Sequence, residues 1–259
     1  LPPVAFYMHK GTDGVFNAGD YLLFYAQGPT IWKYDLERGW YHKQNTYSDY
    51  GYYFVTDKLK YQHLMSSHDA KYDAVSQIDV DWYTALCVHE KDSLNLIDLS
   101  GQSGGGREFY GEYMNLNSKN RTITFPLKNV KQDISTRCVV DMAASSGEAT
   151  LVQVNYAGTT QSIRMSAISV TDNQTKATKG RATIIANAQS ADNQQVQLQL
   201  NNTKDTKAFL NYVEMQVPCE LTMTGEQMAI TNTQYVGHSE SMLFRMKGAS
   251  ANIQIWRVN

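Results

Sequence analysis

With 259 residues, 42% of them hydrophobic and 19% charged, the chain can bury a sizeable core, as one large β domain or two smaller ones, and intrinsic disorder is excluded. Its formal net charge of −2, without any basic block, argues against nucleic acid and against electrostatic attachment to an anionic membrane. No apolar run reaches the roughly 18 residues that span a bilayer, so no transmembrane segment is expected.

The N-terminal Leu1-Pro2-Pro3 is neither a signal peptide nor a lipidation site and reads as a cut end. Residues 4–9, 21–26, 30–34 and 50–56 read as strands between Gly, Pro and Asp turns. The stretch 11–28 organises this region. Asp13-Gly14 and Ala18-Gly19-Asp20 supply turn chemistry, and the apolar and aromatic run after them reads as a buried strand. Rings crowd the same region, from Phe6 and Tyr7 through Trp32 and Trp40 to Phe54, as expected where aromatics fill a small sheet.

Residues 58–73 are polar, and His63 and His68 match no ligand spacing. Residues 75–88 suit one long strand, although their spacing also suits a helix, and Asp79 and Asp81 alternate on the strand's solvated face. The run Gly104-Gly105-Gly106 makes a flexible turn and a domain boundary, and it lacks the lysine and helix of a phosphate-binding loop.

From Thr122 onward apolar and polar residues alternate. Ile123, Phe125 and Leu127 form one set, followed by Cys138, Val140 and Met142, then Val152, Val154 and Tyr156, then Val196, Leu198 and Leu200. Phe209, Val213, Met215 and Val217 are expected to share one face, and Ile253 with Ile255 to close the series. Punctuation by Gly158, Gly180, Asn201-Asn202 and Gly225 predicts an antiparallel sandwich or jelly roll. The fold expected is all-β: an aromatic-rich β region over residues 1–98 and a jelly-roll-like sandwich over 99–259.

Chemistry is sparse. Cys87, Cys138 and Cys219 lack metal or redox spacing, and Cys138 reads as a small buried hydrophobe. Cys87 and His89 share a strand face, but no third residue is evident to orient the imidazole. Asp13, Asn17 and Asp20 are the calcium candidates, although turn formation explains them without an ion. Glu90 and Glu112 flank the glycine-rich stretch and could form a carboxylate pair, while a structural role in holding the loop explains them more simply. No catalytic residue, cofactor or metal is assigned.

Several segments carry a resemblance: Asp13-Gly14-Val15-Phe16-Asn17-Ala18-Gly19-Asp20, FYAQGP at 24–29, and NTYSDYGYYF at 45–54. Glu90, Asn95, Ser100-Gly101, Tyr110-Gly111-Glu112, Leu210-Asn211-Tyr212-Val213-Glu214 and Ile255-Trp256-Arg257-Val258 extend it. Together they resemble the region before the catalytic domain in gingipain-like cysteine peptidases, especially the cell-surface sortases of the type IX secretion system. Residues 102–106 are extra, Phe109 stands where the family shows Trp, and the chain ends W-R-V-N rather than in a W-D-V-T-D-P-like segment.

In that family the catalytic histidine and cysteine belong to an α/β domain that follows, and no matching His-Gly segment exists here, so no catalytic residue carries over. The resemblance implies a non-catalytic accessory part of a larger protein, at the cell surface, outer membrane-associated or secreted, in a Gram-negative bacterium. Its partners would be the downstream peptidase domain or exported cargo. The alternative is a stand-alone carbohydrate-binding or adhesive surface module, suggested by the sandwich and its aromatic load, for which Trp32 and Trp40 are the residues to test.

Overall fold

A computed structural model describes residues 3–58, 63–67, 77–96, 108–169, 171, 176–202, 204, 206–250 and 252–258. The expected boundary near residue 98, the extra residues 102–106 and His68 lie outside the described residues. Strands in chain order are β1 (Phe6–His9), β2 (Tyr21–Phe24), β3 (Thr30–Asp35), β4 (Gly39–Gln44) and β5 (Gln77–Val80). There follow β6 (Trp82–Glu90), β7 (Gly111–Met114), β8 (Asn120–Phe125), β9 (Ser135–Ala144) and β10 (Thr150–Tyr156). The last are β11 (Thr159–Met165), β12 (Thr178–Asn187), β13 (Gln194–Leu200), β14 (Ala208–Glu220) and β15 (Ser241–Phe244). Among the described residues the one helical element is the single 3-10 turn Thr233–Tyr235. The fold is all-β, as the alternation predicts.

Two compact units divide the chain: Leu1–Ile31 with Lys43–Ser76 and Ser250–Asn259, and Trp32–His42 with Gln77–Ala249. The second unit is an antiparallel sandwich. One sheet has the order β11-β10-β13-β8, and the other β12-β9-β14-β6, with β7 also paired to β14. Its core follows from the period-2 rule. Val196, Leu198 and Leu200 of β13 and Val152, Val154 and Tyr156 of β10 face Val140, Met142, Val213 and Met215 of the other sheet, all at most 1% exposed.

Three expectations need correction here. The alternation in β14 breaks at a bulge, because Leu210 pairs with Met142 and Tyr212 with Asp141, leaving Asn211 as the extra residue. Leu210 therefore joins Val213 in the main core, and Phe209 packs in a second cluster with Leu96, Tyr110 and Ala143. Gly180 lies within β12 rather than in a turn, and only glycine fits there because a Cβ would meet Ile163 Cγ2 at 2.5 Å and Met165 Cγ at 2.8 Å. Gly158 does turn the chain, with Ala157 and Gly158 at φ of 52° and 79° between β10 and β11. The long strand expected over 75–88 is two, β5 and β6, separated at Asp81, whose carbonyl accepts the Leu221 amide at 2.7 Å.

The first unit is built differently. β1 and β2 form a two-stranded antiparallel sheet, Phe6 opposite Phe24. The strand expected to be buried is exposed along its whole length, Tyr21, Leu22, Leu23 and Phe24 each at 38–44%. Residues 50–56 and 252–258 form no strand, and Ile255 is 79% exposed.

Candidate functional site

The most organised polar cluster lies on the face of the β12-β9-β14-β6 sheet that points away from the sandwich core. Three things put it there. Val213, Met215 and Val217 face inward, so Tyr212, Glu214 and Gln216 of β14 face outward. Register sets Tyr212 beside Glu90 of β6 on one side and Asp141 of β9 on the other, and Arg181 of β12 lies opposite Asp141. The bulge aims Asn211 into the same row.

The segment Trp32–His42, a hairpin of β3 and β4, fastens to this row. Its turn is held by Asp35, whose Oδ1 accepts the Glu37 and Arg38 amides at 2.8 and 2.9 Å, with Gly39 at φ 69°. Trp40 and His42 then meet alternate residues of β14. Gln216 Nε2 donates to the Trp40 carbonyl at 2.8 Å, and the His42 amide donates to Glu214 Oε1 at 2.9 Å. Outward side chains of one strand thus satisfy backbone groups of another.

His42 is the pivot. Its Nδ1 contacts Glu214 Oε1, and its Nε2 lies 2.8 Å from Glu90 Oε2. With a carboxylate at each ring nitrogen both nitrogens must donate, which only imidazolium can do. The side chain is 5% exposed, as is Glu214. Burial alone pulls the pKa of His42 down, but the hydrogen bonds and charges of Glu214 and Glu90 outweigh it and raise it to about 9. Tyr212 packs edge-on against the imidazole at 4.7 Å and Trp32 at 5.9 Å.

The row continues through Arg181, whose Nε donates to Asp141 Oδ2 at 2.9 Å and whose terminal nitrogen donates to the Tyr212 hydroxyl at 2.8 Å. Burial pushes the Tyr212 phenol above its ordinary value. Asn211 Nδ2 donates to Asp141 Oδ1 at 2.9 Å and to Glu108 Oε1 at 3.0 Å, and Lys179 pairs with Glu108. Each carboxylate here meets a cation or an amide, and the hairpin covers the centre. Such an arrangement fastens two layers.

Glu90 and Glu112 go to different partners. Glu90 binds His42, whereas Glu112 takes His89 Nε2 at 2.7 Å and Lys91 Nζ at 2.9 Å. Burial raises the Glu112 carboxyl, and Lys91 and His89 more than reverse this, leaving it below its ordinary range. Glu112 sits at φ 26° in the irregular pairing of β7 with β14, where Tyr113 pairs with Phe209 and Gly111 with Leu210. Glu112 is thus the third residue that the sequence did not reveal for His89. Cys87 gains nothing from it, because burial pushes its thiol to about 11, and Cys138 and Cys219 to about 12.

Asp13, Asn17 and Asp20 form a closed turn. Asp13 Oδ1 accepts the Val15 amide at 2.9 Å, its Oδ2 accepts Asn17 Nδ2 at 2.8 Å, and Asp20 Oδ2 accepts the Asn17 amide at 2.8 Å. Among the described residues no group of three or more His, Cys, Asp or Glu side chains gathers in metal-binding geometry. Asp79 is exposed and pairs with Arg245 at 3.1 Å, and Asp81 lies outside the strands, so the two do not share a strand face. Trp32 and Trp40 are half-buried in the hairpin, the first against His42 and the second against Tyr34.

The sequence pointed to Glu90 and Glu112 but missed His42, Glu214, Asp141 and Arg181. The signal present was Glu214 and Gln216 alternating with the apolar residues of β14.

Neither a protein-family model nor a curated sequence matches the chain. Among solved structures, dimeric latent PorU from Porphyromonas gingivalis matches over 96% of this chain at a TM-score of 0.73 and 22% identity. The chain spans 22% of the length of that protein. A carbohydrate-binding module, CBM36, in complex with calcium and xylotriose matches over 52% of this chain at 15% identity, with 99% of the module covered and a TM-score of 0.30. CBM35 from Cellvibrio japonicus Abf62 matches over 57% at 8% identity, with 99% covered and a TM-score of 0.29. The chain therefore has the fold of about a fifth of PorU, and the similarity to the two modules is too slight to carry an argument.

Proposed function

We propose that this chain is a non-catalytic portion of a gingipain-like cell-surface sortase of the type IX secretion system, acting as a scaffold for the peptidase domain or in presenting cargo to it. The observation that carries the reading is the fold shared with PorU over 96% of this chain and 22% of that one. The motif series at 13–20, 24–29 and 45–54 supports the same assignment.

The site chemistry agrees with a scaffold. The best-organised polar cluster is spent on fastening a hairpin, and the three thiols are held away from ionisation by burial. No helix among the described residues is long and apolar enough to cross a membrane. Surface location, the peptidase domain as partner and exported cargo belong to this proposal. Reading the gene past the codon for Asn259 tests it. The expected result is an α/β domain with a His-Gly segment and a later cysteine, and an unrelated continuation or an immediate stop would overturn it.

A further inference from the structure

The hairpin clasp covers one polar sheet face of the sandwich, whereas the β1-β2 ribbon of the first unit carries an apolar face that stays open. Residues directly opposite in an antiparallel pair point to the same side. Register therefore puts Phe6 with Phe24 and Met8 with Leu22 on one face, and Tyr7 with Leu23 and His9 with Tyr21 on the other. The first face holds no charge, amide or hydroxyl, and its Leu22 and Phe24 are 38% and 40% exposed. Tyr53 extends it. Its ring packs on Phe24 at 5.3 Å, and its hydroxyl donates to the Gln27 carbonyl at 3.0 Å. On either side of Tyr53 in the chain, Tyr52 and Phe54 are 74% and 80% exposed.

A two-stranded ribbon is marginal in water on its own, and an uncharged apolar face calls for a permanent cover more than a passing one. Cargo that comes and goes would leave the face bare between visits, and a second copy would have to find it at its own concentration. Ser250–Asn259 belongs to the same unit as the ribbon. A domain continuing past Asn259 is therefore tethered to that unit, at an effective concentration of about 1 mM for a short linker. Over a free partner at micromolar concentration that is an advantage on the order of a thousandfold.

We propose that the face formed by Phe6, Met8, Leu22 and Phe24 is the seat of the peptidase domain that the preceding reading places after Asn259. The inference rests on that reading and adds to it the surface through which the scaffold holds its domain.

Maleimide labelling of Phe24→Cys, read at that residue by mass spectrometry, is compared between the 259-residue chain and the full-length polypeptide of the gene. The expected result is labelling at least about tenfold slower in the full-length polypeptide at every protein concentration. Gln197→Cys, on the exposed outer face of β13, should label equally in both. Leu22→Glu sets a carboxylate on the face and should restore fast labelling of Phe24→Cys in the full-length polypeptide, with the melting temperature of the 259-residue chain preserved. Equal rates at Phe24→Cys in the two proteins overturn the proposal, as does slow labelling already in the shorter one. Slowing at both cysteines alike is unselective and overturns it too. Protection that appears only as protein concentration rises would make a second copy the occupant, and protection that needs added exported protein would make it cargo. A gene without a peptidase domain past Asn259 defeats the earlier reading and this inference together. A peptidase domain that leaves Phe24→Cys fast defeats this inference alone.

Discussion

The two units contain similar kinds of residue and pack them in opposite ways. In the sandwich, β13 alternates between full burial and exposure, β9 and β14 are buried along most of their length, and Val152, Val154, Val196 and Met215 are at 0%. In the aromatic unit no described residue is buried, although Leu22, Leu23 and Phe24 follow one another in β2. Hydrophobic content therefore does not make a core. A strand buries its apolar face only against a second layer, and among the described residues β2 lies under none, each of its four residues being 38–44% exposed.

The largest expected effect breaks this contrast at its strong end. Leu198→Ala removes a side chain 1% exposed between two sheets, and should cost about 2–5 kcal/mol in urea unfolding monitored by circular dichroism. A loss below ~1 kcal/mol would mean that the sandwich core is looser than its burial indicates.

The clasp comes next. The pKa of His42 rises from 6.5 to about 9 on folding. Its contribution is fully present below the unfolded pKa, where the ring is protonated in both states, and is lost as pH rises through the folded value. Stability should therefore fall by on the order of 1–3 kcal/mol from about pH 6.5 to 9.5, and His42→Gln should flatten that slope. An equal slope in both proteins would remove imidazolium from the account.

The cysteines sharpen the contrast chemically. Cys138 and Cys219 are buried in the sandwich, with thiols near 12. Their alkylation by iodoacetamide at about pH 8 should be at least about 100-fold slower in the folded chain than in urea. Rapid native labelling would contradict the inert-core reading. The smallest effect is expected in the weak unit, where Leu23→Ala, at a residue 40% exposed, should cost less than ~1 kcal/mol.

Much of the sandwich was legible because burial imposes a period of two. The alternations in β9, β10 and β13 predict their inward residues directly. Phe209 was misplaced because a single inserted residue, Asn211, reverses the alternation, and nothing local distinguishes a bulge from its neighbours. β2 was misread as buried because an apolar run reports what a strand contains, not whether another layer reaches it.

Of the polar cluster, Glu90 and Glu112 were visible as acids near a glycine-rich stretch, but their partners were not. His42 and Glu214 are 172 residues apart in the chain, and only the docking of β4 onto β14 brings them together. Asp13, Asn17 and Asp20 were legible as a turn because Asx chemistry is local.

Native-state hydrogen exchange on the whole chain, read amide by amide, tests the central contrast most directly. Amides of β9, β10, β13 and β14 should exchange only through global unfolding, while those of β1 and β2 should open locally and exchange at least about 100-fold faster. Equal protection in β2 and β14 would contradict the account, because it would require a buried layer over Tyr21–Phe24.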